Sequence, residues 1–90
     1  MIVRMTNSTK IIDFWAPWCG PCRIMNPILE ELEAQNKDII VERINVDENQ
    51  EIASKYGVMS IPTFVVEKDG KEVGRKVGVT PKSDLQALLQ

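Results

Sequence analysis

The sequence predicts an α/β fold, a mixed sheet of four strands flanked by three helices in the order β-α-β-α-β-β-α. Three observations carry this expectation. Short apolar, β-branched runs at 11–15, 39–46, 63–67 and 72–77 are separated, in two of three gaps, by segments of helical spacing. Asp69-Gly70 stands between the last two runs, a strong hairpin signal. The chain has no repeats and no Gly-, Pro- or Ser-rich linker, so residues 1–90 read as a single domain.

The elements follow in order. Ile11 to Trp15 is almost wholly apolar, as expected of a strand buried on both faces. Ala16 to Pro21 is rich in helix breakers and reads as a loop. From Cys22 to Gln35, Ile24, Ile28 and Leu32, flanked by Met25 and Leu29, have helical spacing, with Pro27 inside expected to kink the helix. Ile39 to Val46 is the second strand. Gln50 to Tyr56 fits a short helix with Ile52, Ala53 and Tyr56 inward and Gly57 as a left-handed cap. Strands at 63–67 and 72–77 form the hairpin. Thr80 is the expected N-cap of the last helix, Pro81 its first-turn proline, and Leu85, Leu88 and Leu89 its buried face. Strands separated by a helix are expected to pair in parallel, and the hairpin to be antiparallel.

Composition excludes several classes. The net charge is −2 with both signs interspersed, which argues against nucleic acid as a partner, because phosphate recognition needs a one-signed basic patch. No apolar run approaches the roughly 20 residues of a membrane span. The first ten residues lack the apolar core of a secretory signal, so a cytoplasmic location is expected. Two cysteines and no histidine cannot supply a four-ligand structural zinc site or a Cys–His nucleophile pair. A single bridge across two intervening residues would constrain little, so redox chemistry is the reading left for Cys19 and Cys22.

Their spacing has a physical meaning. Trp18-Cys19-Gly20-Pro21-Cys22 follows an expected strand and opens an expected helix. Two residues between cysteines at a helix start let the sulfurs bond with little backbone movement. Cys19 then lies where free N–H groups and the helix dipole favour a thiolate, and the thiolate is the nucleophile. Cys19 is expected to attack a substrate disulfide, and Cys22, one turn further in and more buried, to resolve the mixed disulfide. The redox-active pair itself is the only redox group expected, with no separate cofactor and no metal.

Asp13-Phe-Trp-Ala16, Trp18 to Cys22, Pro27, Tyr56-Gly57, Ile61-Pro-Thr63, Asp69-Gly70 and Lys76-Val-Gly78 occur in the order and spacing of one family. Over residues 10–90 the chain resembles the thioredoxin family. That resemblance implies a thioredoxin-like fold and a protein-disulfide reductase acting on disulfide-bearing proteins, re-reduced by a thioredoxin reductase or an equivalent. It implies that Asp13 is a buried carboxylate accepting the Cys22 proton through water; an acid between Ile12 and Phe14 is in any case costly without a task or partner. It further implies that Pro62 is a cis-proline, with Ile61 offering its backbone to an extended substrate. Trp18, Ile61, Pro62, Val77 and Gly78 would surround the reactive sulfur, with Trp15 packing beneath the loop. Gly20-Pro21, lacking the histidine that accompanies oxidases and isomerases, points to the reducing branch.

Two departures from the family pattern stand out. Only twelve residues precede Asp13, so the family's first strand and helix are expected to be missing or reduced, and Ile39–Val46 is expected at a sheet edge, blunted by Glu42 and Arg43. Arg43 stands where the family commonly has a lysine near the buried acid; it is either a cation favouring ionised Asp13 or a solvated edge residue. A monomer is expected. Alternatives are an oxidase or isomerase, or a binding subunit of a larger assembly.

Overall fold

The fold was obtained as a computed structural model, and residues 8–90 are those it describes. Seven elements follow one another: β1 (Thr9–Trp15), α1 (Gly20–Gln35), β2 (Ile39–Asn45), α2 (Gln50–Lys55), β3 (Thr63–Lys68), β4 (Lys71–Val77) and α3 (Lys82–Leu89). Among the described residues they form a four-stranded sheet in the order β2-β1-β3-β4. The mixed four-stranded sheet with three helices is therefore the expected one, and β2 is an edge strand among the described residues. Whether Met1–Met5 add a strand lies outside them. None of the described helices is long and apolar enough to cross a membrane.

β1 is central and buried on both faces, which its apolar run requires. Ile11 points into a core with Met25, Leu29 and Leu32 of α1, Phe64 and Val66 of β3, and Leu85 of α3. Ile12 and Phe14 point the other way, against Ile44, Ala53 of α2 and Val65. Strand alternation therefore puts Asp13 and Trp15 on the α1 face with Ile11. β1 and β2 are parallel, with Asp13 opposite Arg43. β3 runs antiparallel to β1, with Phe64 opposite Asp13. The expectation that helix-separated strands pair in parallel therefore holds for β1 and β2 and is corrected for β3. β3 follows β2 through α2 but pairs with β1, and the 56–62 segment turns the chain so that β3 enters from the opposite end.

Four further corrections concern faces, caps and bounds. Ile24 is 59 % exposed, because the buried stripe of α1 is Cys22, Met25, Leu29 and Leu32; Ile28 flanks that stripe and Ile24 lies beyond it. Ile52 is also exposed, since a six-residue helix turns only Ala53 fully inward. Thr80 does not cap α3: its hydroxyl donates to the Gly78 carbonyl at 3.0 Å, and the Pro81 carbonyl receives the N–H groups of Asp84 and Leu85. α1 starts two residues earlier than expected, at Gly20, and Pro27 lies inside it.

Two glycine positions shape the sheet end. Asp69 and Gly70 both have positive φ, 53° and 82°, the primed hairpin turn that their sequence signals. Gly74 on β4 lies against α3: a Cβ there would stand 2.6 Å from Leu88 Cδ2, so the end of the Leu88 side chain would have to shift.

Candidate active site

The site forms where β1 stops. After Trp15 the Ala16–Trp18 turn is closed by the Cys19 N–H donating to the Ala16 carbonyl at 3.1 Å. Cys19 is the N-cap of α1 with extended backbone, and its Sγ accepts the Cys22 N–H at 3.2 Å. A sulfur thus occupies the place where Ser, Thr or Asp commonly satisfies a free helix N–H. Pro21 in the first turn needs no donor there, and no acidic residue lies in that turn to compete with a thiolate. Cys19 and Cys22 are joined in a disulfide, with Cα atoms 5.3 Å apart, inside the ordinary range.

Cys19 was expected to be the more exposed sulfur. In the disulfide form the residues are buried alike, 3 % and 5 % exposed. Their asymmetry is one of backbone position: Cys19 caps the helix, whereas Cys22 lies inside it. Trp15 packs on Ala16 and the two cysteines from below, together with Val46 and Ile61.

Asp13 is 3 % exposed and faces a cavity of about 270 Å³ lined with Trp15, Asn26, Glu30 and Arg43. Neither Asp13 Oδ1 nor Trp15 Nε1 has a hydrogen-bond partner in the protein. Burial raises the Asp13 pKa from 3.8 to about 6, and the Arg43 charge opposes that rise without cancelling it. Arg43 thus shares the Asp13 cavity, but its ion pair is with Glu33, Nη2 to Oε1 at 3.0 Å.

Across from the disulfide, the Ile61–Pro62 peptide is cis. The Pro62 carbonyl accepts the Gly78 N–H at 2.8 Å, which brings the end of β4 beside the 61–62 segment. Gly78 has φ 86°, and a Cβ added there would meet open space. Trp18 is 68 % exposed, Val77 also lies at the surface, Ile61 is half-buried and Pro62 is buried. The residues named from sequence are therefore gathered at one end of the sheet, except Asp13 and Arg43, which lie below it.

Sequence reasoning missed two contributors. Asp47 Oδ2 accepts the Trp18 indole N–H at 2.9 Å and so fixes an otherwise exposed ring. Met59, 94 % exposed, joins Trp18, Val46, Val58 and Ile61 around an apolar groove of about 430 Å³. Met59 carried a signal in its closeness to Pro62; Asp47 carried none beyond its place after a strand.

Two sulfurs that bond across one helical turn, beside an open apolar groove, are suited to exchanging electrons with other disulfides. The class is thiol–disulfide oxidoreductase. The thioredoxin family model matches residues 1–90. Thioredoxin of Bacillus subtilis (strain 168) is 56 % identical over 85 residues, covering 93 % of this chain and 82 % of the relative. Thioredoxin of Alicyclobacillus acidocaldarius is 50 % identical over 80 residues, 88 % of this chain and 76 % of that one. Among solved structures, oxidized mitochondrial thioredoxin 3 of Saccharomyces cerevisiae matches with a TM-score of 0.86 at 37 % identity, covering 92 % of this chain and 77 % of that one. The chain belongs to the thioredoxin family, and it is a thioredoxin-type disulfide reductase.

Proposed function

We propose that the protein is a general protein-disulfide reductase in which Cys19 attacks and Cys22 resolves. The Cys19 thiolate adds to one sulfur of a target disulfide, and the target's other sulfur leaves as a thiolate. Cys22, deprotonated, then attacks Cys19 Sγ; the Cys19–Cys22 disulfide forms and the second target sulfur leaves. Two electrons have moved from this protein to its target. Asp13 takes the Cys22 proton through an intervening water, a role suited to a carboxyl whose pKa is raised to about 6.

The observation that carries this reading is Cys19 Sγ in the N-cap position of α1, accepting the Cys22 N–H. A developing negative charge on that sulfur is met by a hydrogen bond already in place and by the positive end of the helix. Substrate enters as an extended segment along Ile61, Pro62 and Gly78, with apolar side chains on Trp18 and Val77. The Cys19–Cys22 pair is the only redox group used, with no metal and no bound cofactor. A thioredoxin reductase or an equivalent returns the electrons. The protein works as a monomer in the cytoplasm, residues 1–90 acting as one domain, and neither nucleic acid nor a membrane takes part.

The test is reduction of a protein disulfide under dithiothreitol, comparing wild type with Cys19→Ser and Cys22→Ser. Activity lost in both variants is the expected result, with a mixed disulfide accumulating only in Cys22→Ser when the pre-reduced variants are mixed with the target after dithiothreitol is removed. Trapping on Cys22 in Cys19→Ser instead would reverse the roles.

A further inference from the structure

The charges around Asp13 are arranged in a way its own chemistry does not require. Arg43 stands directly opposite Asp13 in the β1–β2 register and forms part of its cavity wall. Its guanidinium nevertheless bonds outside that cavity, to Glu33 of α1 at 3.0 Å. Glu33 lies three residues beyond Glu30, so both are on the α1 face turned to β2. Asp13, 3 % exposed, keeps Oδ1 without a partner although a guanidinium shares its cavity.

We propose that Glu33 is a positioning residue that holds the Arg43 guanidinium at the rim of the Asp13 cavity and so keeps it from pairing with Asp13. A half-exposed ion pair adds little to stability, so its consequence is where it puts the cation. Drawing a guanidinium inward would cost desolvation, and Glu33 offers it a carboxylate without that cost. Asp13 is then left with its proton-accepting oxygen unengaged by any protein group. The charged groups facing it are Arg43 from β2 and Glu30 from α1; β3, on the other side of β1, puts no residue in the cavity wall. With Glu33 neutral, the anions left within this wall are Glu30 and Asp13, and Arg43 moves toward them. The inference rests on the proposed Asp13 role only for its effect on catalysis, not for the ion geometry.

The test is NMR titration of the Asp13 carboxyl in the oxidized 90-residue chain, for wild type, Glu33→Gln, Arg43→Met and the double variant. Both residues lie near the surface, so the variants are expected to fold. Glu33→Gln is expected to lower the Asp13 midpoint by about half to one pH unit, and by less than half as much when Arg43 is already Met. An unchanged midpoint, or equal shifts in both backgrounds, would overturn the proposal, since equal shifts mean simple loss of a nearby negative charge. Alkylation of Cys22 against pH, in the reduced protein, separates this from the reading it builds on. A midpoint that moves only with Arg43 present, while the Cys22 profile stays fixed, supports the positioning role and removes Asp13 from the mechanism.

Discussion

Replacing Asp13 by Asn removes a carboxyl that the fold holds at an energetic cost, and the cost depends on pH. The folded-state pKa is raised from 3.8 to about 6, chiefly by burial. The folded protein thus binds this proton more tightly than the unfolded chain. Its stabilising contribution is complete below about pH 4 and is lost as pH rises through about 6. The span corresponds to about 3 kcal/mol, from 1.36 kcal/mol for each tenfold change in proton affinity. The amide of Asn brings its own offset, about 1–3 kcal/mol if its N–H groups stay unpaired, but that offset does not change with pH. The diagnostic is therefore the slope. Urea unfolding of the oxidized protein, followed by tryptophan fluorescence from pH 4 to pH 8, should show Asp13→Asn gaining most of that span, about 2.5 kcal/mol, on wild type across the range. A difference between the two proteins that stays flat with pH would refute the claim that Asp13 is buried at such cost.

Other consequences are equally direct. Asp47→Ala frees the Trp18 indole, and kcat/KM for protein disulfides should fall several-fold while thermal stability holds within about 1 kcal/mol; the coupled reduction assay and a melt read both. Gly74→Ala presses a methyl group against the end of the half-buried Leu88 side chain, which can turn aside, and urea denaturation should show a loss of no more than about 1 kcal/mol with the active site unaffected. Tyr56→Phe leaves the buried Glu67 carboxylate without its 2.7 Å hydrogen bond, and a loss of about 1–3 kcal/mol at neutral pH is expected in the same measurement. Spectroscopic titration should place Tyr56 itself at about 12, pushed up mainly by that bond.

Much of this architecture was legible because local chemistry and tertiary structure agree. The doubly buried run around Ile12, the Asp69-Gly70 turn and the left-handed Gly57, φ 67°, each state a backbone requirement that only a few residue types meet. Cys19 and Cys22 were legible for the same reason, their spacing fitting one helical turn. What was not legible depended on neighbours distant in sequence. The direction of β3 is set by which strand it finds, not by its own residues. Ile24 and Ile52 have apolar side chains at plausible helical spacing, yet Ile24 lies off the stripe that α1 turns to the sheet and α2 is too short to cover Ile52. The Thr80 hydroxyl found Gly78 before it could cap α3. Glu33 carries no local signal in the sequence, and only the packing of α1 on β2 joins it to Arg43.

The reduction potential of the Cys19–Cys22 couple, measured against a glutathione or dithiothreitol buffer, tests the central claim most directly. A reductase without a histidine between its cysteines should lie near the thioredoxin value of about −270 mV. A potential above about −200 mV, in the range of isomerases and oxidants, would contradict it.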